Sequence, residues 1–340
     1  MTGYRPRLDI LRAGAVLSVL YYHLWDTETP IGIWGVRLFF IISGFLISSM
    51  LLQIREKSGS SQTSMLIGLR NFYVRRALRL WPAYYCLLLL LVVSNHPGFR
   101  PVTEWHALFL SNILFALRNE YVPWTTAALW SLSVEEQFYL LWPGIILGLS
   151  RRILPFVIAI VILVGLAWAQ YVVPSAPNAL WVHHLPPSAF APLGAGAALA
   201  LVYEKRAVPP KSVERTGWLA AMALAVIAVT HWPTWGYDVV TLVLMVWLVI
   251  WGLEDRAVNL SLWRPVLLIG RISYGIYLYH LPMMYILRSM PIETFSDRGP
   301  ALFCAGAVLS IGVAMLSWIC LEQPFNRLKG AFPYGERRTG

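Results

Sequence analysis

Ile33-Trp34-Gly35-Val36-Arg37-Leu38-Phe39-Phe40-Ile41-Ile42-Ser43-Gly44-Phe45-Leu46-Ile47-Ser48-Ser49-Met50-Leu51-Leu52-Gln53-Ile54 carries one charged side chain, Arg37, over residues 33–54. The run exceeds the ~18 apolar residues needed to cross a bilayer as a helix. It is apolar all round rather than along one stripe, so it belongs in a core or in lipid rather than at a water-facing surface. Similar runs follow along the chain. They are continuous rather than alternating, which argues for helices and against a transmembrane barrel.

The composition agrees. Of 340 residues, 58% are hydrophobic and only 13% charged. Soluble domains carry about twice that share of charge. The chain therefore reads as an all-α polytopic membrane protein. Spans are expected at about 10–25, 33–54, 80–95, 131–149, 153–173, 187–203, 216–232, 238–252, 265–288 and 300–321. The segment 105–118, between Trp105 and Arg118, is apolar but short, so it is expected to be re-entrant or interfacial. Gly194, Gly196 and the neighbouring alanines are expected to permit close helix contact.

Charge orients this arrangement. The net charge is +10, and the basic residues sit mostly between apolar runs, the pattern of cytoplasmic loops rather than of a nucleic-acid surface. Arg5 and Arg7 precede the first run, whereas the loop with Asp26 and Glu28 has no Lys or Arg. Arg55, Lys57, Arg70, Arg75, Arg76 and Arg79 follow. Arg151 and Arg152 fall inside only if 105–118 does not cross. Lys205, Arg206, Lys211 and Arg215, then Asp255 to Arg264, alternate with an outer loop from Trp232 to Asp238. Arg327, Lys329, Arg337 and Arg338 put the C-terminus inside. About ten spans with both termini cytoplasmic satisfy the positive-inside rule. One membrane domain over 1–340 is expected, with no cleaved leader, no metal site and no disulfide framework from Cys86, Cys304 and Cys320.

Five stretches carry groups that are costly in lipid and therefore candidate functional residues. Asp9 and Arg12 precede His23 in the first span. Arg12 and His23 are eleven residues apart, three turns plus about 20°, so they share a helix face roughly 16 Å apart along the axis. A neutral imidazole suits a general base; an interfacial His with a snorkelling Arg is the plain alternative. Ser43 and Gly44 lie inside the second span, suited to packing or to bound substrate. Arg75, Arg76 and Arg79 cluster at the entry of the third, where guanidinium groups would hold phosphates or anionic lipid heads. Trp130-Ser131-Leu132-Ser133-Val134-Glu135-Glu136-Gln137-Phe138-Tyr139 opens the fourth. Ser131 or Ser133 is placed to cap that helix, and a carboxylate there is placed to orient an imidazole. Ser273-Tyr274-Gly275-Ile276-Tyr277-Leu278-Tyr279-His280 puts three Tyr and a His in the ninth, lining a cavity or bonding neighbouring helices. Glu322 ends the last span, placed to pair with cytoplasmic arginines.

Taken together, these stretches resemble the acyltransferase 3 family of integral membrane acyltransferases. The resemblance rests on Leu8-Asp9 with Arg12 and His23; Gly35-Val36 through Phe39-Phe40 and Ser43-Gly44-Phe45-Leu46; Arg75-Arg76 through Arg79 and Trp81-Pro82; Trp130-Ser131-Leu132-Ser133-Val134-Glu135 through Tyr139; Ser273-Tyr274 through His280; and Glu322 with Pro324-Phe325. They occur in family order between about 4 and 327. Ile10 departs from the frequent Gly, and Arg37 stands where many members carry Asp.

The resemblance implies about ten spans in a bacterial cytoplasmic membrane. It implies transfer of an acyl group, acetyl first among candidates, from cytoplasmic acyl-CoA to a hydroxyl of a surface polysaccharide or glycolipid. Acyl-CoA is then a co-substrate, and no permanently bound cofactor is expected. His23 matches the family's essential histidine, Arg12 its paired basic residue, Arg76 and Arg79 its R-x-x-R motif on the CoA side, and Glu135 its W-S-L-S-x-E carboxylate. Arg75 is expected beside the CoA phosphates. Asp9, Ser43, Tyr139, Tyr277 and His280 are expected to support the substrate cavity. No appended esterase-like domain is expected, so the membrane domain itself would complete the transfer. A glycolipid transporter or flippase, using the polar face without covalent change, is the rival reading; it predicts translocation independent of acyl-CoA.

Overall fold

Proline and serine begin the first helices where unpaired amides must be tolerated or capped. α1 (Pro6–Leu24) starts with proline in its first turn, where the missing N–H costs nothing. α2 (Ile31–Ser58) ends at Gly59, whose φ of +52° is one that glycine adopts without a Cβ penalty. α3 (Gln62–Val93) is capped by Ser61, whose hydroxyl accepts from the Ser64 amide at 3.3 Å. The computed structural model describes residues 4–59, 61–204, 217–230, 237–253 and 260–333. Lys205, Arg206, Lys211, Arg215, His231, Trp232, Asp255, Arg337 and Arg338 lie outside them.

The described residues are helical and contain no β-strand. α4 (Thr103–Ala107) and α5 (Ser111–Arg118) form a bent pair. α6 (Leu129–Gly148), α7 (Leu154–Ala167), α8 (Leu180–His184) and α9 (Pro187–Glu204) follow. Then come α10 (Gly217–Thr230), α11 (Tyr237–Leu253), α12 (Leu260–Arg271), α13 (Ser273–Arg288), α14 (Pro300–Ser317) and α15 (Gln323–Arg327).

The expectation of about ten spans is corrected by length and polarity. Five helical stretches are long and apolar enough to cross a membrane: Ile31–Ser58, Gln62–Val93, Leu154–Ser175, Leu180–Glu204 and Pro300–Ala331. The other expected spans are helical but fall short for physical reasons. α1 carries Arg7, Asp9 and Arg12, and α6 carries Glu135 and Glu136. α10 and α11 have 14 and 17 residues. The expected span 265–288 is broken at Ile272 into α12 and α13. The 105–118 segment forms helices of five and eight residues, too short to cross. The chain is an integral, multi-pass membrane protein.

α2 is the central helix. Two-thirds of its apolar window, 67%, is buried, against 11% for Leu154–Ser175 at the periphery. Gly44 and Gly196 let α2 and α9 touch backbone to backbone. A Cβ on Gly44 would stand 2.1 Å from the Leu193 carbonyl oxygen, and one on Gly196 2.1 Å from that of Ile41. Gly270 likewise meets the Asp9 backbone, at 1.9 Å.

Contacts at the helix ends sort into two faces of the bundle. On one, Arg5 donates to the Leu253 carbonyl at 2.7 Å and Arg55 to that of Ile146 at 2.7 Å. On the same face Arg151 pairs with Glu204 at 2.9 Å, and Asn71 donates to the Pro333 carbonyl at 2.7 Å. On the other, Arg37 pairs with Asp238 at 2.5 Å, Thr125 bonds His96 at 2.8 Å, and Arg298 donates to the His23 carbonyl at 3.1 Å. The basic residues Arg5, Arg55 and Arg151 thus share a face with both described ends of the chain.

Candidate active site

Among the described residues, a pair of cavities lies within the bundle, one above the other along α1 and α2. The inner one, about 80 Å³, is lined by Arg12, Ser43, Arg76, Arg79, Glu135 and Tyr139, with Phe39, Ser131 and Tyr274. The outer one is far larger, about 1080 Å³, and holds His23 with Arg37, Trp124, Trp130, Trp168, Arg288 and Arg298. Val36, Phe40 and Tyr277 line both, so these three side chains form the wall between them.

In the inner chamber α2, α3 and α6 bring charged groups together. Ser43 donates to the Glu135 carboxylate, and the Tyr139 hydroxyl donates to Ser43 at 3.2 Å. The Arg76 guanidinium sits over the Tyr139 ring, 3.7 Å from its centroid, a cation–π contact of the kind that burial strengthens. Arg79 feels the charges of Arg12, Arg76 and Glu135. Arg12 is held by Asp9 at 3.0 Å. Gathered arginines in a small polar chamber can receive an anionic or strongly polar group.

Arg75, one residue from Arg76, goes elsewhere. It donates to the Lys329 carbonyl at 2.6 Å and to that of Phe332 at 3.2 Å, tying α3 to the turn after α15. Glu322, 2% exposed, is carried inward by a π-turn over Trp318–Glu322. It accepts from Ser317 at 3.3 Å and bears electrostatically on Arg79, one of the arginines expected at the cytoplasmic entry of the third span, and on Lys329. Ser131 and Ser133 do not cap α6, which begins two residues earlier at Leu129. Ser131 instead bonds the Tyr277 hydroxyl at 2.6 Å. Ser133 accepts from the Ser111 amide at 3.3 Å and so binds α6 to α5.

Arg12 and His23 share α1 but open into different chambers. Glu135 and His23 are likewise kept apart: the groups bearing on His23 are His280 and Arg298. Tyr277 stands in the wall, and His280 packs its ring against His23 with centroids 5.0 Å apart. Trp130 opens the W-S-L-S-x-E stretch, whereas Arg298, Arg288, Trp124 and Trp168 belong to no motif. Their loop or helix-end positions carry no periodic signal, so only the fold reveals them. Among the described residues no three His, Cys, Asp or Glu side chains converge as a metal ion would need.

The bundle thus holds a cationic chamber on one side of a thin wall and an imidazole on the other. The chain belongs to the Acyl_transf_3 family, whose "Acyltransferase domain" model matches residues 5–319. Among its relatives is the peptidoglycan O-acetyltransferase OatA of Listeria monocytogenes, 29% identical over 356 residues covering 95% of this chain and 56% of that protein. A putative peptidoglycan O-acetyltransferase of Bacillus subtilis, YrhL, is 27% identical over 368 residues, 95% of this chain and 55% of its own length. A putative O-acetyltransferase of Staphylococcus aureus is 27% identical over 366 residues, 95% of this chain and 58% of its own length. The chain thus spans just over half the length of these curated relatives. No solved structure matches it.

Proposed function

We propose that this chain moves an acyl group, acetyl in the first instance, from acyl-CoA in the cytoplasm to a hydroxyl of a carbohydrate polymer or glycolipid on the far side of the membrane. The observation that carries this reading is the pair of cavities sharing the Val36, Phe40 and Tyr277 wall. A donor and an acceptor that never share a compartment need two such sites and a thin boundary. Names of the relatives favour a cell-wall glycan as acceptor, and the vestibule tryptophans offer faces on which sugar rings stack.

In this reading the five long apolar helices cross the membrane and shield the shorter, more polar ones from lipid, and the face that carries Arg5, Arg55 and Arg151 is the cytoplasmic one. Residues 1–340 act as one acyltransferase domain. Arg76 and Arg79 draw the polar donor inward from the basic face, and Arg75 braces their helix. The pantetheine arm brings the thioester to the wall. His23 takes the proton of the acceptor hydroxyl, whose oxygen attacks the thioester carbonyl. The carbon–sulfur bond breaks, and the CoA thiolate recovers the proton. Glu135, with Ser43 and Tyr139, holds the arginines in place. Asp9 does the same for Arg12.

Radiolabelled acetyl-CoA, purified protein in detergent and a bacterial cell-wall glycolipid extract test this directly. Label is expected on the glycolipid with the wild type, reduced by about 10²- to 10⁴-fold in His23→Ala, the usual worth of a positioned base. Undiminished transfer by a folded His23→Ala protein would overturn the assignment. Stacked cavities on opposite sides of a wall are also what a carrier has. Glycolipid movement without acyl-CoA in proteoliposomes would favour that reading instead.

A further inference from the structure

His280 is wholly buried in α13, at 0% exposure. Its Nδ1 lies 2.7 Å from the Tyr277 carbonyl oxygen. A carbonyl only accepts, so Nδ1 carries the hydrogen, and the neutral ring then has its lone pair on Nε2. That Nε2 is buried and has no hydrogen-bond partner among the described residues. Leaving a buried acceptor unused costs free energy, about 1–3 kcal/mol in general. The ring of His23 packs beside it, 5.0 Å away between centroids and inclined by 42°.

The surroundings of His23 sharpen the point. A general-base histidine needs one nitrogen free of hydrogen and the other held by a partner, which fixes tautomer and orientation. A carboxylate is the usual partner. Here Arg298, from the loop before α14, and His280, from α13, bear on His23, and the Tyr22 ring of its own helix meets it edge-on at 5.0 Å. Glu28, Arg37, Asp238, His183 and Arg288 line the same vestibule. Glu135 lines the inner chamber, bonded to Ser43.

We infer that His280 is the positioning residue of His23: its Nε2 accepts a hydrogen bond from the facing His23 nitrogen, so that the other His23 nitrogen presents its lone pair to the acceptor hydroxyl. The inference rests on the reading of His23 as base. The rings stand 5.0 Å apart between centroids without a hydrogen bond, so the bond closes only when they turn a nitrogen of each toward the other. When His23 takes the acceptor's proton it becomes an imidazolium, and its second N–H stays on His280. His280 keeps one proton throughout. A neutral partner serves this site because a carboxylate buried there would add a large desolvation cost. Tyr277 links the device to the wall: its carbonyl sets the His280 tautomer, while its hydroxyl bonds Ser131.

The test uses three substitutions that separate positioning from packing. His280→Gln keeps an acceptor where Nε2 stands but loses the bond to Tyr277. His280→Asn keeps a donor toward Tyr277 but withdraws the acceptor. His280→Ala loses both. Each full-length protein, labelled with ¹⁵N-histidine in detergent, is read by the ¹⁵N shifts and two-bond couplings of His23, assigned with His23→Gln. Wild type and His280→Gln are expected to show one His23 tautomer. His280→Asn and His280→Ala are expected to show a mixture, with kcat lowered at least about 10-fold, at most about 10⁴-fold, and KM for acetyl-CoA within twofold. Rescue by Asn rather than Gln, or one unchanged tautomer in all three, would overturn the inference. Failure of the base reading is seen separately, as transfer retained in His23→Ala.

Discussion

At the scale of the residue, Glu135 shows what a motif does and does not tell. Its carboxylate accepts from Ser43 and bears on Arg79 in the inner chamber, away from His23. Glu135→Gln keeps the shape and removes the charge, leaving Arg76 and Arg79 less compensated in a low-dielectric interior. Detergent-solubilised Glu135→Gln is expected to melt earlier, and Arg76→Gln to lose part of its own effect in that background. A double-mutant cycle on unfolding should give a coupling of about 0.5–3 kcal/mol; strict additivity would show that the two groups do not interact. Much of this site was legible beforehand. Charges in apolar runs are rare enough to be noticed, so Arg12, His23, Arg79, Glu135 and His280 all stood out. Their grouping was not legible. One helix's periodicity tells which face a residue is on and how deep it lies, but not which helix comes next to it. So Glu135 was expected beside an imidazole, and the fold places it beside guanidinium groups.

At the scale of the element, the α2–α9 crossing holds the site together. Ser43 sits next to Gly44, and Gly44 rests on the Leu193 carbonyl with no room for a Cβ. Gly44→Val is expected to separate the helices, pull Ser43 from Glu135 and destabilise the protein by several kcal/mol, near the top of the range for overpacking, about 1–3 kcal/mol or more. Gly14→Ala, on α1, where a Cβ would meet nothing within 4 Å, should be neutral. Thermal unfolding of the two variants checks the contrast. The small residues of α9 signalled this contact in advance, because close helix approach in lipid needs them. The break at Ile272 carried no such signal. The π-turns at Trp168–Val172 and Trp318–Glu322 each precede a proline by two residues, Pro174 and Pro324, whose ring crowds the carbonyl four residues back and removes one bond of the ladder.

At the scale of the molecule, the five long apolar helices and the shorter polar ones divide the work. Leu154–Ser175 is turned mostly outward, while α1, α2, α6 and α13 carry the polar groups inward. The long runs were plain from composition; the division of the interior into two chambers was not, since it depends on three side chains from two helices meeting at one depth. That thin wall of Val36, Phe40 and Tyr277 has a consequence for the cell rather than for the reaction. A bacterium stores energy as a proton gradient across the very bilayer this protein punctuates, and any continuous thread of water through it is a short circuit. A wall that parts the two chambers is then expected to act as an insulator. Proteoliposomes holding an imposed pH difference should keep it with the wild type and lose it faster with Phe40→Ala/Tyr277→Ala, read by an enclosed pH dye; equal decay would mean that the insulation lies elsewhere. Cells bearing the leaking variant would grow poorly for want of stored energy.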